Sequence, residues 1–185
     1  SSSNINANNV FDINRLGISN DFEAGKSFTI GLDYKYDPLL DNSSENTNNN
    51  LLEDIEDKYL EIKLATVVRD QYESNIPLNS TLNRKNSDLF GSINNKLLDN
   101  VDLLYEFSLD NDMKTINSNT IETEISINNF VTSFNFIEQR NEIGSTHLLS
   151  NTTEYKINDS KSFKFSTRRN KKINLTEYYD LSYEY

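Results

Sequence analysis

Apolar and polar residues alternate over most of the chain. Across 26–36, Phe28, Ile30, Leu32, Tyr34 and Tyr36 fall on one register, and Thr29, Gly31, Asp33 and Lys35 on the other. A period of two marks a strand with unlike faces. The pattern returns at Leu60, Ile62, Leu64, Thr66 and Val68, and at Val101, Leu103, Tyr105, Phe107 and Leu109. Ile121, Thr123, Ile125 and Ile127 carry it on, followed at once by Phe130, Thr132, Phe134 and Phe136. Thr153, Tyr155 and Ile157, then Phe163, Phe165 and Thr167, then Tyr179, Leu181, Tyr183 and Tyr185 complete it. With weaker segments at 89–97 and near Leu149, the pattern predicts about nine strands.

Asp99-Asn100, Asn128-Asn129 and Asn158-Asp159 leave room only for tight hairpins, and Asn and Asp tolerate the positive φ that such turns favour. Longer links are predicted at 70–87, 110–114, 138–146 and 170–173. Short and long connections therefore alternate, as in a transmembrane meander. The Asn-rich, acidic stretch 37–57 breaks the alternation and reads as a mobile insertion. Leu52, Ile55 and Tyr59 sit at helical spacing within it and allow a short helix. No sequence repeat is present.

The net charge of −11, from 18 basic and 29 acidic residues, argues against a nucleic-acid partner, since no basic field is available for phosphates. Hydrophobic content is only 35%, yet 10 Phe and 10 Tyr argue against a disordered chain. Without cysteine, no disulfide or thiolate metal site can form within these residues. The first residues, SSSNINANN, and the last, LTEYYDLSYEY, read as interior sequence, so the chain is expected to be a piece of a longer protein.

Alternation fits two solvents. In a soluble sandwich the apolar face meets a second sheet. In an outer-membrane barrel it meets lipid, and the polar face lines a wet interior. Three features favour the barrel. The strands run about ten residues, longer than the usual 5–6. The charges Asp33, Lys63, Glu106, Glu124, Glu154, Lys156 and Lys164 all keep to the polar register. Tyr34, Tyr36, Phe136, Phe163, Tyr183 and Tyr185 gather near strand ends, where an interfacial girdle would lie.

Before the first strand stands NVFDINRLGISNDFEAGKSFTIGL. It resembles a segment of the LptD lipopolysaccharide-assembly family, in which Asn, Phe, an aliphatic residue, Asn-Arg, Asp, Glu and Gly precede a barrel strand. Asn9, Phe11, Ile13, Asn14, Arg15, Asp21, Glu23 and Gly25 match in order, with Gly17 two residues after Arg15. RDQYESNIPLNSTLNRKNSDLFGSI is similar to a later loop of that family, through Pro77, Leu78, Ser80, Leu82, Ser87, Asp88, Leu89 and Gly91. The final DLSYEY is similar to the strand leading to the family's C-terminal cysteine pair.

The resemblance implies an all-β fold: an antiparallel meander forming part of a large transmembrane barrel, with 1–185 as one partial barrel domain. It implies a Gram-negative outer-membrane protein that places lipopolysaccharide in the outer leaflet and performs no bond chemistry. The implied partners are lipopolysaccharide, an LptE-type lipoprotein plug, outer-membrane lipid, and periplasmic Lpt bridge components reached through an N-terminal domain. Another outer-membrane barrel, porin or receptor, and a soluble β-sandwich binding module or adhesin stay open.

Within the barrel reading, Arg15 is expected to pair with Asp21 or Glu23 and pin a turn before the strand, with Gly17 and Gly25 giving the backbone freedom. Catalytic signals are few. His147 is the sole histidine, which rules out a multi-histidine metal site, and it is expected at a strand entrance. Glu122 and Glu124 share a strand face and read as wall carboxylates. Glu53, Asp54, Glu56 and Asp57 lack EF-hand spacing.

Overall fold

The computed structural model describes residues 5–16, 23, 25–38, 58–141, 144–158 and 160–185. Nine antiparallel strands form one sheet in sequence order: β1 Ser27–Tyr36, β2 Leu60–Arg69, β3 Leu89–Leu98, β4 Val101–Leu109, β5 Ile116–Ile127, β6 Phe130–Asn141, β7 Gly144–Asn158, β8 Lys161–Asn170 and β9 Leu175–Glu184. Every strand pairs with its sequence neighbours, and β1 and β9 do not pair with each other. The sheet is therefore an open meander.

The strand count and the tight turns follow the alternation. Asn128 adopts φ +51° in its hairpin. At Asp99-Asn100 no φ is positive, and a bulge between Asn95 and Leu98 accommodates the turn instead. Asp159 lies outside the described residues.

Two expected segments differ. The link expected at 138–146 is mostly strand: β6 runs through Asn141 and β7 begins at Gly144. Every position from Phe130↔Tyr155 to Asn141↔Gly144 is paired, although beyond Phe136 the alternation inverts, with Ile137 and Leu148 on the polar face and Glu138, Arg140 and His147 on the apolar one. The weak segment near Leu149 and the strand at 153–157 are accordingly one 15-residue strand. The helix allowed around 52–59 falls mainly outside the described residues. Tyr59 is not helical, and Leu60 to Ile62 already belong to β2, which pairs with β1 and β3. The insertion at 37–57 lies outside the described residues except for Asp37 and Pro38.

The register assigns each residue a face. Leu32↔Leu64↔Gly91↔Phe107↔Asn119 continue one row across five strands, and Asp33↔Lys63↔Ser92↔Glu106↔Thr120 the adjacent row on the other face. Glu154 stands opposite Lys164. All seven mid-strand charges named above share the polar face. A slip of one residue would move every one of them to the apolar side.

Among the described residues the apolar face carries no second layer. Phe28 is 68% exposed, Phe134 43% and Leu181 72%. Phe107, Phe134 and Phe165 are not sealed in a sandwich interior. About a dozen rings and aliphatic chains at half exposure amount to roughly 1,000 Å², well above the few hundred Å² of a typical monomer's largest patch.

The buried apolar cluster lies instead on the polar face. Ala65 and Val67 of β2 and Phe90 of β3 meet Ile5, Ala7 and Val10 from segment 5–16, and Ile76 and Leu82 from the link 70–88. Segment 5–16 holds its own shape. Asn6 Oδ1 accepts from the N–H groups of Asn8 and Asn9, and Asn9 Oδ1 accepts from the N–H of Asn6. Asn8 then ties the segment to the sheet, donating to Glu106 Oε1 at 3.0 Å and accepting from Lys63 Nζ at 3.1 Å.

Glycine marks two close approaches. A Cβ on Gly31 would stand 2.5 Å from Phe11 Cζ on the polar face. A Cβ on Gly91 would stand 2.1 Å from Phe107 Cζ on the apolar face. Gly91→Val should destabilise the sheet by about 1–3 kcal/mol through overpacking. The double variant Gly91→Val, Phe107→Ala should recover most of that loss in equilibrium unfolding; no recovery would remove the ring as the cause.

Candidate functional site

The segment before β1 forms a clasp on the polar face. Its central anion is Glu23. Arg15 grips it with two bonds, Nε to Oε2 and Nη2 to Oε1, both 2.5 Å. Arg69, at the end of β2, pairs with the same Oε1. One carboxylate thus joins the N-terminal segment to the second strand. Such bidentate guanidinium–carboxylate pairs are the strong, geometrically specific ones.

The remaining donors of Arg15 are also used. Nη1 donates to the Val10 carbonyl at 2.9 Å and to Thr29 Oγ1 at 2.8 Å, and Nη2 donates to Ser27 Oγ at 3.0 Å. Ser27 and Thr29 belong to β1, so the guanidinium spans segment and strand together. Arg69 Nε donates to the Leu82 carbonyl and brings in the link 70–88. Both side chains are nearly sealed from solvent, at 6% and 1% exposure, and burial draws the Arg15 guanidinium below its ordinary pKa.

Gly25 turns the chain from this clasp into β1 with φ +77°. That is the left-handed region glycine occupies without strain. Glu73, from the link 70–88, packs against its open side. The expected Arg15–Glu23 pair is therefore present, and Gly25 plays the turn role. Asn14 is exposed. Gly17 and Asp21 lie outside the described residues.

The second family-like segment builds the other half. Pro77 opens a single 3-10 turn, Leu78–Ser80, and its carbonyl accepts from Ser80 N–H at 3.1 Å and Ser80 Oγ at 2.7 Å. This turn drops Leu82 into the buried cluster. Ser87 then mimics a strand partner for Val67: its N–H donates to the Val67 carbonyl, and its Oγ accepts from the Val67 N–H, both at 2.9 Å.

Asp88 anchors the link to two further strands, accepting from Ser108 Oγ of β4 at 2.5 Å and from Asn117 Nδ2 of β5 at 2.8 Å. Its Oδ1 is buried without a hydrogen bond, with Arg84 at 3.9 Å. Burial pushes this carboxyl above its ordinary range, while the Ser108 and Asn117 bonds oppose the shift. Gly91, three residues on, lies on the apolar face and takes no part in the polar cluster.

The apolar face has its own order. Phe130, Tyr155, Phe163 and Tyr183 are direct neighbours across β6 to β9 and form one row at the tight-turn end. Phe130 and Tyr155 have ring centroids 5.3 Å apart, and Phe163 and Tyr183 4.9 Å. Polar groups inside the apolar band satisfy one another. Thr132 and Thr153 hydroxyls are 2.8 Å apart, and Asn151 Nδ2 donates to Thr132 Oγ1 and the Ser133 carbonyl, each at 3.1 Å.

Glu122 and Glu124 face the polar side, where Asn135 donates to Glu122 and Ser133 to Glu124. His147 lies four residues into β7, its Nδ1 3.6 Å from Glu138 across the strand pair.

Arg69, Val67 and Phe90 were not singled out from sequence. Their signal is the stretch Ala65-Thr66-Val67-Val68, apolar on both registers, which marks a strand covered on both faces.

No family model, curated protein or solved structure matches the chain. The likeness to LptD rests on the motif residues alone.

Arg15→Ala should cost about 3 kcal/mol of stability, because Glu23 loses its bidentate partner in a buried setting. Arg140→Ala, at an exposed pair, should cost less than about 1 kcal/mol. Equal losses in denaturant unfolding would remove the clasp as a stabilising element.

Asp88 supplies a pH test. Its folded pKa is raised, so between the ordinary and raised values the folded chain holds more protons than the unfolded one. Its contribution to stability therefore falls as pH rises through that window. Asp88→Asn should flatten this slope, and an unchanged slope would assign it to another group.

Proposed function

We propose that this sheet is part of the wall of a transmembrane β-barrel in a Gram-negative outer membrane, from a lipopolysaccharide-assembly protein of the LptD type. One observation carries the wall reading: a sheet of nine strands keeps its seven mid-strand charges on one face, and the other face, short of the charged end at Glu138, Arg140 and Arg169, is apolar and uncovered by any described residue. Hydrocarbon is the solvent that suits such a face, and water suits the opposite one. The aromatic row at the tight-turn end has the form of an interfacial girdle. The mutual hydrogen bonding of Thr132, Thr153 and Asn151 supports the same reading, because polar groups facing lipid need partners of their own.

The LptD part of the proposal draws on the clasp. Arg15, Glu23 and Gly25, matched in order to the family pattern, meet in one buried arrangement that orients the chain entering β1. On this reading the segment supplies wall and internal scaffold for a conduit. The whole protein would receive lipopolysaccharide from a periplasmic bridge, with an LptE-type lipoprotein inside the barrel. Its action is guidance of a lipid, with no bond made or broken.

Neighbouring residues on opposite faces test the wall. Phe134→Arg should cost about 2–4 kcal/mol in unfolding from lipid vesicles, while Ser133→Arg, facing the wet side, should change stability by less than about 1 kcal/mol. Folded protein recovered from cells without detergent would defeat the wall reading. The transport assignment has a separate test: depletion of the parent protein should leave newly made lipopolysaccharide short of the cell surface, and normal surface delivery would defeat it.

A further inference from the structure

Charge is unevenly spread on this acidic chain. Residues 160–176 hold Lys161, Lys164, Arg168, Arg169, Lys171 and Lys172, six of the 18 basic side chains, and no acid. Four of these six fall at the far end of β8 and in the turn that follows it, remote from the aromatic row. Arg168 faces the polar side and pairs with Glu177 at 2.9 Å. Arg169, Lys171 and Lys172 have no carboxylate within salt-bridge distance among the described residues; Glu142 lies outside them.

Arg169 stands on the apolar face, directly opposite Leu149, which is itself opposite Phe136. The Lys171 ammonium lies 5.9 Å from the Phe136 ring, and the Lys171 N–H donates to the His147 carbonyl at 2.8 Å. Below this level the face is Phe134, Phe165, Tyr179 and Leu181, ending at the aromatic row. Six residues separate Arg169 from Phe163, roughly 20 Å of strand. Long basic side chains reach from such a position toward an interface while their stems cover apolar surface.

Resting on the wall reading, we infer that Arg169, Lys171 and Lys172 form a binding site on the outer face for a lipid with a net-negative phosphate headgroup. The headgroup meets the three cations, and the acyl chains lie along Phe136, Leu149 and Phe134. Charge complementarity selects this occupant: the one described carboxylate on this face near Phe136, Glu138, is paired with Arg140, which leaves the three cations in excess in a chain that is acidic overall.

The test uses the full chain reconstituted in nanodiscs of phosphatidylcholine doped with phosphatidylglycerol, with retained lipid counted by native mass spectrometry after detergent release. Phosphatidylglycerol should be retained in preference to phosphatidylcholine. Arg169→Gln, Lys171→Gln, Lys172→Gln together should weaken that preference by about 100-fold, near fivefold per cation. Lys35→Gln, Lys156→Gln, Lys161→Gln, with the same charge change near the opposite end, should leave it within about twofold. Insertion without lipid preference, an equal effect of both triple variants, or full competition by inorganic phosphate would overturn the site and leave the wall reading standing. Failure to insert into any bilayer would overturn both.

Discussion

Register is the constraint on which this structure depends. Asp33 faces Lys63, and Glu154 faces Lys164, each pair directly across two strands. Opposite charges facing in this way add little energy by themselves, and neither of these two closes to a salt bridge. Their weight comes from what the alternative would be. A one-residue slip would carry Asp33, Glu106 and Glu124 to the face that holds Phe28, Phe134 and Leu181, and would bring those apolar groups to the charged side. Nine strands in simple sequence order transmit that choice from each pair to the next. The two-faced sheet is thus one cooperative decision repeated at eight interfaces.

The second organising feature is asymmetry along the sheet. At β1 to β3 the polar face is covered by segment 5–16 and the link 70–88, and there the chain has its buried cluster. Glu23 holds that cover in place by receiving two guanidiniums from different elements. A buried carboxylate between two arginines is costly to desolvate, and only a full set of partners makes it tolerable. Ser27, Thr29, the Val10 carbonyl and the Leu82 carbonyl complete that set. Asp88 does the same for the link, through β4 and β5. From β5 to β9 no described segment covers the sheet, and the strands there are the longest, up to 15 residues in β7. One end of the wall is scaffolded from inside, while the other relies on strand pairing and aromatic contacts across neighbours.

Much of this was legible in the chain itself. Period two pointed to about nine strands and assigned the seven named mid-strand charges to one face, because alternation leaves a side chain no third direction. Asn128 and Gly25 announced their positive φ by residue type. The proximity of Arg15 to Glu23 was legible as opposite charges in a short pre-strand segment. Tertiary structure alone decided that Arg69, 46 positions after Glu23, shares that carboxylate, since only the β1–β2 pairing brings Arg69 level with Ser27. It also decided that Ala65, Val67 and Phe90 need an apolar cover on the charged face, that the 138–146 stretch pairs through to Asn141, and that Arg169 caps the apolar band. Local sequence records which way a side chain points from its own strand. What it meets there depends on which distant residues the pairing delivers, and that information exists only once the sheet has formed.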